Sequence, residues 1–340
     1  MLMKRLQFLK RLHANMLALV FSLVASASLA QSFGLEELIR LAESGDAEAQ
    51  NTLGVTYHTG RGVPVNIPEA IKWYTLAAEQ GRANAQLNLG VLYNFGMGVP
   101  LDYAEAAGWF IKAAEQGELM AQVSLASMYV AGQGVMTNHS EAARFYGMAA
   151  EQGDVGSQVT LAEMYLSGQG LEQNYAEAAR YFRLAAEHGE VAAQFSLALM
   201  YRDGQGVEPD AEEAASWFRM AADQGHIAAM FSIAAMHESG VGVEQSLEEA
   251  FRWYRMAATQ GHPSSQNNLG LMYESGQGVE PSLTHAYMWL DLATKLGTGI
   301  EQERFQSNRD MLAERLSAEQ MSEARRMSDR CLETRYSTCD

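Results

Sequence analysis

The chain has 340 residues, 48% of them hydrophobic, and carries 24 Lys and Arg against 41 Asp and Glu, for a formal charge of −17. That hydrophobic share supplies an ample core, and the acidic balance excludes nucleic acid and anionic lipid surfaces as natural partners. Only two cysteines, Cys331 and Cys339, are present, both near the C-terminus.

In chain order, the first predicted element is an export signal. Lys4, Arg5, Lys10 and Arg11 form a basic start, residues 16–27 an apolar run, and Ser28-Leu29-Ala30 places small residues before Gln31. This order predicts a secretory signal peptide over residues 1–30, cleaved after Ala30. The alternative is an uncleaved anchor, but the apolar run is short for a span of ~20 residues. No cysteine follows the small residues, which argues against a lipoprotein. The segment carries four basic and no acidic side chains, so its removal takes the formal charge from −17 to −21. No later segment is apolar enough to cross a bilayer, so no stable membrane insertion is expected after cleavage. Residues 31–44 follow as a predicted capping helix, polar on its outer side.

From Gly45 onward the chain is periodic. Gly45, Gly81, Gly117, Gly153, Gly189, Gly225, Gly261 and Gly297 are spaced 36 apart without insertion or deletion. A fixed period of this length predicts stacked structural repeats, here seven copies over residues 45–296. In the first copy Ala49, Leu53 and Tyr57 share one face of a helix A. Gly60 and Gly62 then break it, and Ala70, Trp73, Tyr74, Ala77 and Ala78 form the stripe of an amphipathic helix B. Gly81 closes helix B in a left-handed conformation. The same slots refill in each copy: the Tyr57 slot holds Tyr93, Tyr129, Tyr165, Tyr201, His237 and Tyr273, and the Trp73 slot holds Trp109, Phe145, Tyr181, Trp217, Trp253 and Trp289. Trp217 is expected to be a core residue on this pattern. The predicted fold is all-α, an α/α superhelical solenoid of seven 36-residue helix-turn-helix repeats with N- and C-terminal capping helices. Residues 297–340 form the C-terminal cap and tail, with a helix over 300–315 and a second one begun by a Ser317–Gln320 capping box and ending near Cys331.

The recurring pattern A-x-A-Q-x-x-L-G-x-x-Y-x-x-G-x-G-V…E-A-x-x-W-Y-x-x-A-A-E-Q-G resembles the Sel1-like repeat family, a relative of the tetratricopeptide repeats with a longer period and a longer inter-helix turn. The resemblance implies an α/α superhelix that works as a protein-interaction scaffold. Cys331 and Cys339 either pair across a small loop in an oxidising compartment or remain two thiols of a terminal tail. Their eight-residue offset is similar to the bridges in the cysteine-rich branch of the family. In that branch the bridges recur within the repeats, and here the repeats hold none, which weakens transfer of its β-lactam-related properties.

No catalytic constellation is visible, and neither a cofactor nor a metal is expected. The G-x-G triplets follow helices rather than strands, so they read as turns and not phosphate loops. No G-x-S-x-G, H-E-x-x-H or C-x-x-C occurs. The carboxylates recur with the repeat, as a solvated face does, and Met128, Met164, Met200, Met236 and Met272 share one slot beside the core tyrosine, where they pack.

What remains is surface on helix A. The slots left over from the packing pattern hold Leu87, Val91 and Phe95, then Val123 and Val130, then Val159 and Leu166, then Phe195 and Leu199, then Phe231. Read as a concave strip, they predict a docking face for partner proteins or peptides. The alternative is that superhelical curvature buries them against neighbouring helices. The functional expectation is an exported, periplasmic or secreted interaction scaffold of a Gram-negative bacterium. Its rival is an enzyme acting on a cell-wall or β-lactam-like ligand, for which no cluster of nucleophile, base and oxyanion donors is found.

Overall fold

A computed structural model describes residues 34–336 and 339, and among these every regular element is a helix. The predicted signal peptide and its cleavage site lie outside the described residues. The chain divides into two compact units, one ending at Asn174 and the other starting at Tyr175. The first unit holds α1 (Leu35–Glu43), α2 (Ala47–Thr59), α3 (Ile67–Glu79), α4 (Ala83–Phe95), α5 (Tyr103–Glu115), α6 (Leu119–Ala131), α7 (His139–Glu151) and α8 (Val155–Ser167). The second holds α9 (Tyr175–Glu187), α10 (Val191–Asp203), α11 (Ala211–Asp223), α12 (Ile227–Ser239), α13 (Leu247–Ala258), α14 (Pro263–Ser275), α15 (Leu283–Leu296), α16 (Gly299–Ala313) and α17 (Ala318–Glu333). Helix A and helix B alternate from α2 to α15 in phase with the glycine period.

Each boundary has a local cause. Helix A ends on a glycine in the left-handed region, as at Gly60 with φ 71°, where a Cβ would clash with the backbone. Helix B starts on Asn66, Asp102, Asn138, Asp210, Ser246 or Ser282, whose side chains accept from backbone N–H groups of the first turn. The expected capping box is present at α17, with Ser317 and Gln320 satisfying each other's backbone N–H groups. Gly297 departs from the register. Its φ is −64°, and it is needed for close approach instead, since a Cβ there would lie 2.9 Å from Phe305.

Packing within a repeat is set by a small residue under a ring. The slot of Gly54 and Gly90 faces the ring of helix B, so a Cβ at Gly90 would sit 2.6 Å from Phe110. Phe110, Phe182, Phe218 and Tyr254 are fully buried in that ring slot. Successive repeats are joined through a buried glutamine. Gln86 on α4 donates to the carbonyl of Ala78 at the end of α3 (3.0 Å) and accepts from Gln116 at the end of α5 (2.7 Å). The carbonyl it reaches is one a helix terminus would otherwise leave unpaired. Gln50, Gln122 and Gln194 make the same pair of bonds. Because Gln50 reaches Ala42 on α1, that helix takes the place of a preceding helix B, and its Leu38 and Ala42 pack on Ala49, Leu53 and Trp73.

The C-terminal helices close the other end of the chain. Leu312 on α16 and Ala324 on α17 are buried with Ala286, Tyr287 and Leu290 of α15. Cys331 and Cys339 form a disulfide with a Cα–Cα distance of 4.8 Å, and both sulfurs belong to a cluster with Leu269, Trp289 and Leu292.

Trp217 is not the core residue that its slot suggests. It is only partly buried, and its Nε1 donates to Glu213 on the outer side of α11. The neighbouring Phe218 is buried completely. Phe218→Ala is therefore expected to cost ~3–5 kcal/mol, the usual loss for an emptied aromatic site. Trp217→Ala should cost clearly less in the same urea titration, and an equal loss would return Trp217 to the core.

Candidate functional site

The ten helix A residues of the expected strip fall into three groups by burial. Leu87, Val91 and Val159 are buried, so the expectation that packing leaves their slots free is corrected for these three. At Leu87 the cause is the approach of consecutive helices A. Asn88 on α4 donates to Asn51 on α2 (3.4 Å), and Asn51 occupies the same slot as Leu87. In the first two repeats that slot, with Asn51 and Leu87, is buried against the neighbouring helix A.

Phe95, Val123, Leu166, Phe195, Leu199 and Phe231 are half-buried, and Val130 is 41% exposed. In the first unit the accessible apolar groups lie chiefly on the last turn of helix A, at Phe95, Val130 and Leu166. In the second unit they lie nearer its start, at Phe195, Leu199 and Phe231. Leu271 on α14, also exposed, shares the Leu199 slot two periods on and was not singled out by the sequence reading. The 36-residue spacing from Leu199 is the signal that identifies it.

Phe195 and Phe231 are already held by aromatic neighbours. Phe195 lies 5.6 Å from the Phe218 ring and stacks at 4.3 Å on His226. Phe231 lies 5.7 Å from Tyr254 and 5.1 Å from His262. The two histidines are N-caps of α12 and α14, with Nδ1 accepting from the backbone N–H of Ala229 and of Ser265, each at 3.2 Å. This capping role requires a neutral ring with the proton on Nε2. Burial pushes both imidazoles below their ordinary value; at His262 the charge of Glu301 partly offsets that. Glu238 accepts from the Tyr254 hydroxyl at 2.7 Å, Arg202 pairs with Asp203 at 2.7 Å, and Arg183 reaches the Tyr201 hydroxyl.

No group of three or more metal-ligating side chains occurs among the described residues, and no described helix is long and apolar enough to cross a membrane. The arrangement offers apolar side chains on helices that end on glycine caps.

The histidine caps carry a pH dependence. With the folded imidazoles below the unfolded value of about 6.5, the unfolded chain takes up protons first as pH falls. Stability from these caps is complete above pH ~6.5 and declines as pH drops below it towards the folded value. The melting temperature should therefore fall between pH 7.5 and 5.5, and His226→Asn with His262→Asn should flatten that fall, because asparagine caps without titrating. An identical pH slope in the double variant would contradict the assignment.

A family model described as the Sel1 repeat matches this chain at residues 47–81, 83–118, 119–154, 157–190, 191–226, 227–262 and 263–298. Among solved structures, the chain is similar to a Sel1 repeat protein from Oxalobacter formigenes. That likeness is 33% identity over 69% of this chain and 98% of that one, with a TM-score of 0.55. It is also similar to a protective antigen of uropathogenic Escherichia coli strains that displays an SLR fold, at 28% identity over 88% of this chain and 86% of that one, with a TM-score of 0.48. No curated protein matches. With all seven repeats matched and the helix pairs in phase with them, the chain belongs to the Sel1 repeat family.

Proposed function

We propose that this protein is an exported scaffold that holds partner proteins or peptides on the helix A face. Sel1 repeat proteins generally mediate protein–protein interaction, and the repeat is typically non-enzymatic. The observation that carries the reading is the set of apolar side chains left accessible on helix A, with Val130 the most open at 41%. Val130, Phe95 and Leu166 stand on helix ends fixed by glycine caps, so a partner meets a preformed surface and little ordering entropy is lost on binding. An amphipathic helix or an extended segment with apolar anchors suits such a face. The formal charge of −17 favours partners whose rim is basic and makes association salt-sensitive.

The export half of the proposal rests on residues 1–30, whose basic, apolar and small-residue order is that of a cleavable signal. The destination is the periplasm or the exterior of a Gram-negative cell. The disulfide between Cys331 and Cys339 fits an oxidising compartment.

One experiment covers both halves. A photo-crosslinker at Val130 in the native host should trap a defined partner on a chain beginning at Gln31. Val130→Asp with Leu166→Asp should abolish a matched crosslink from Phe95 while leaving helical content and melting close to wild type. A Phe95 crosslink undiminished in the folded double variant would place docking elsewhere, and a trapped chain still carrying Met1 would remove the export step.

A further inference from the structure

The seventh repeat breaks the charge pattern. Where repeats four to six carry Arg183, Arg219 and Arg255, it carries Asp291, and where repeats four and five carry Glu187 and Asp223, it carries Lys295. Asp291 is only 7% exposed. Its carboxylate is held by Lys295 at 2.8 Å and by the Ser328 hydroxyl at 2.7 Å, with Arg309 at 3.6 Å. Taking a carboxylate out of water is costly unless it is paired and hydrogen-bonded in this way.

Asp291, Lys295 and Arg309 edge a cavity of about 350 Å³ between α15, α16 and α17, whose walls also include Tyr287, Asp310, Arg325 and Asp329. That size is at the small-molecule end of protein sites, which run from roughly 300 to 1,000 Å³. Counting donors and acceptors shows what the cavity still offers. Lys295 spends its three N–H groups on Asp291, Asp329 and Ser328. Arg309 places Nε and Nη2 on a single oxygen of Asp310, at 2.9 and 2.7 Å, and its Nη1 stands too far from Asp291 for a good bond. Arg325 shares the cavity wall with Tyr287 and is exposed. Guanidinium donors therefore remain on two helices, and the second oxygens of Asp310 and Asp329 remain as acceptors. A simple anion would meet both aspartates, and a simple cation would meet both arginines. A ligand carrying both charges satisfies each set.

We propose that this cavity binds a small zwitterion of the amino-acid or dipeptide class, its carboxylate on Arg309 and Arg325 and its ammonium on Asp310 and Asp329. The site is separate from the helix A face, so it gives the scaffold a second, small-molecule input at its C-terminal end.

The test is a titration of the full mature chain with L-glutamate and with the dipeptide Ala-Ala, followed by calorimetry or by protein NMR shifts up to ~10 mM. Saturable one-to-one binding of at least one of them is expected. The N-acetyl derivative, which lacks the ammonium, and the C-terminal amide, which lacks the carboxylate, should each bind at least about tenfold more weakly. Arg325→Ala should weaken binding by a similar factor with an unchanged melting temperature, and Asp329→Asn, also at the exposed rim, should do the same. The proposal is overturned if neither probe saturates, if the acetylated or amidated form binds as well as its parent, or if both folded variants bind like wild type.

Discussion

Consecutive repeats meet where the start of one helix B lies over the turn of the following repeat, and that contact leaves no room for a side chain. A Cβ on Gly134 would stand 2.0 Å from the carbonyl oxygen of Tyr103, closer than any real contact. The equivalent positions at Gly170, Gly206, Gly242 and Gly278 are similarly closed by backbone, with nearest atoms at 2.1–2.3 Å. Gly62, in the first repeat, meets nothing within 4 Å among the described residues. The second glycine of the G-x-G turn is thus less a helix breaker than a seat for the neighbouring repeat. The constant 36-residue register follows, because an insertion in the turn would move the seat.

Two further contacts use the spacing this seat creates. The ring of helix B lies on a Gly or Ala of helix A, and the helix A glutamine ties its own helix B to the one before it. Where the glutamine is replaced, the geometry persists with weaker chemistry, as Gln260 donates to the Met230 sulfur at 3.4 Å. Each repeat is therefore stabilised by its two neighbours, and the rigidity of the helix A face follows from that nearest-neighbour coupling. A surface held this way presents apolar groups such as Val130 without the local unfolding that a loop would allow.

Much of this was legible in the sequence because it is local and repeated. The glycine period gave helix pairs, phase and caps, and Ser317 with Gln320 announced α17. What stayed hidden depends on contacts from outside a single repeat. Leu87, Val91 and Val159 looked free yet are buried, and at Leu87 the burial comes from the adjoining helix A, as the Asn51–Asn88 contact shows across a separation of 37 residues. Trp217 looked like core because an aromatic refills its slot in every copy, whereas its own Nε1 turns to Glu213, as that of Trp109 turns to Glu105. The cavity beside Asp291 needed three helices to assemble, and its only trace in the sequence is a reversed charge at two repeat positions.

The central claim, that the turn glycine is the seat of the next contact, can be isolated by comparing Gly62→Ala with Gly134→Ala in urea unfolding. Both residues have positive φ, 74° and 68°, so both variants bear the same backbone strain of roughly 1–2 kcal/mol. Among the described residues only Gly134 adds a clash with backbone, which has no side chain to move aside, worth at least another ~1–3 kcal/mol. The account predicts a clearly larger loss for Gly134→Ala than for Gly62→Ala. Equal losses in the two variants would show that the glycines serve only their own turns, and the account of how the repeats are stacked would be wrong.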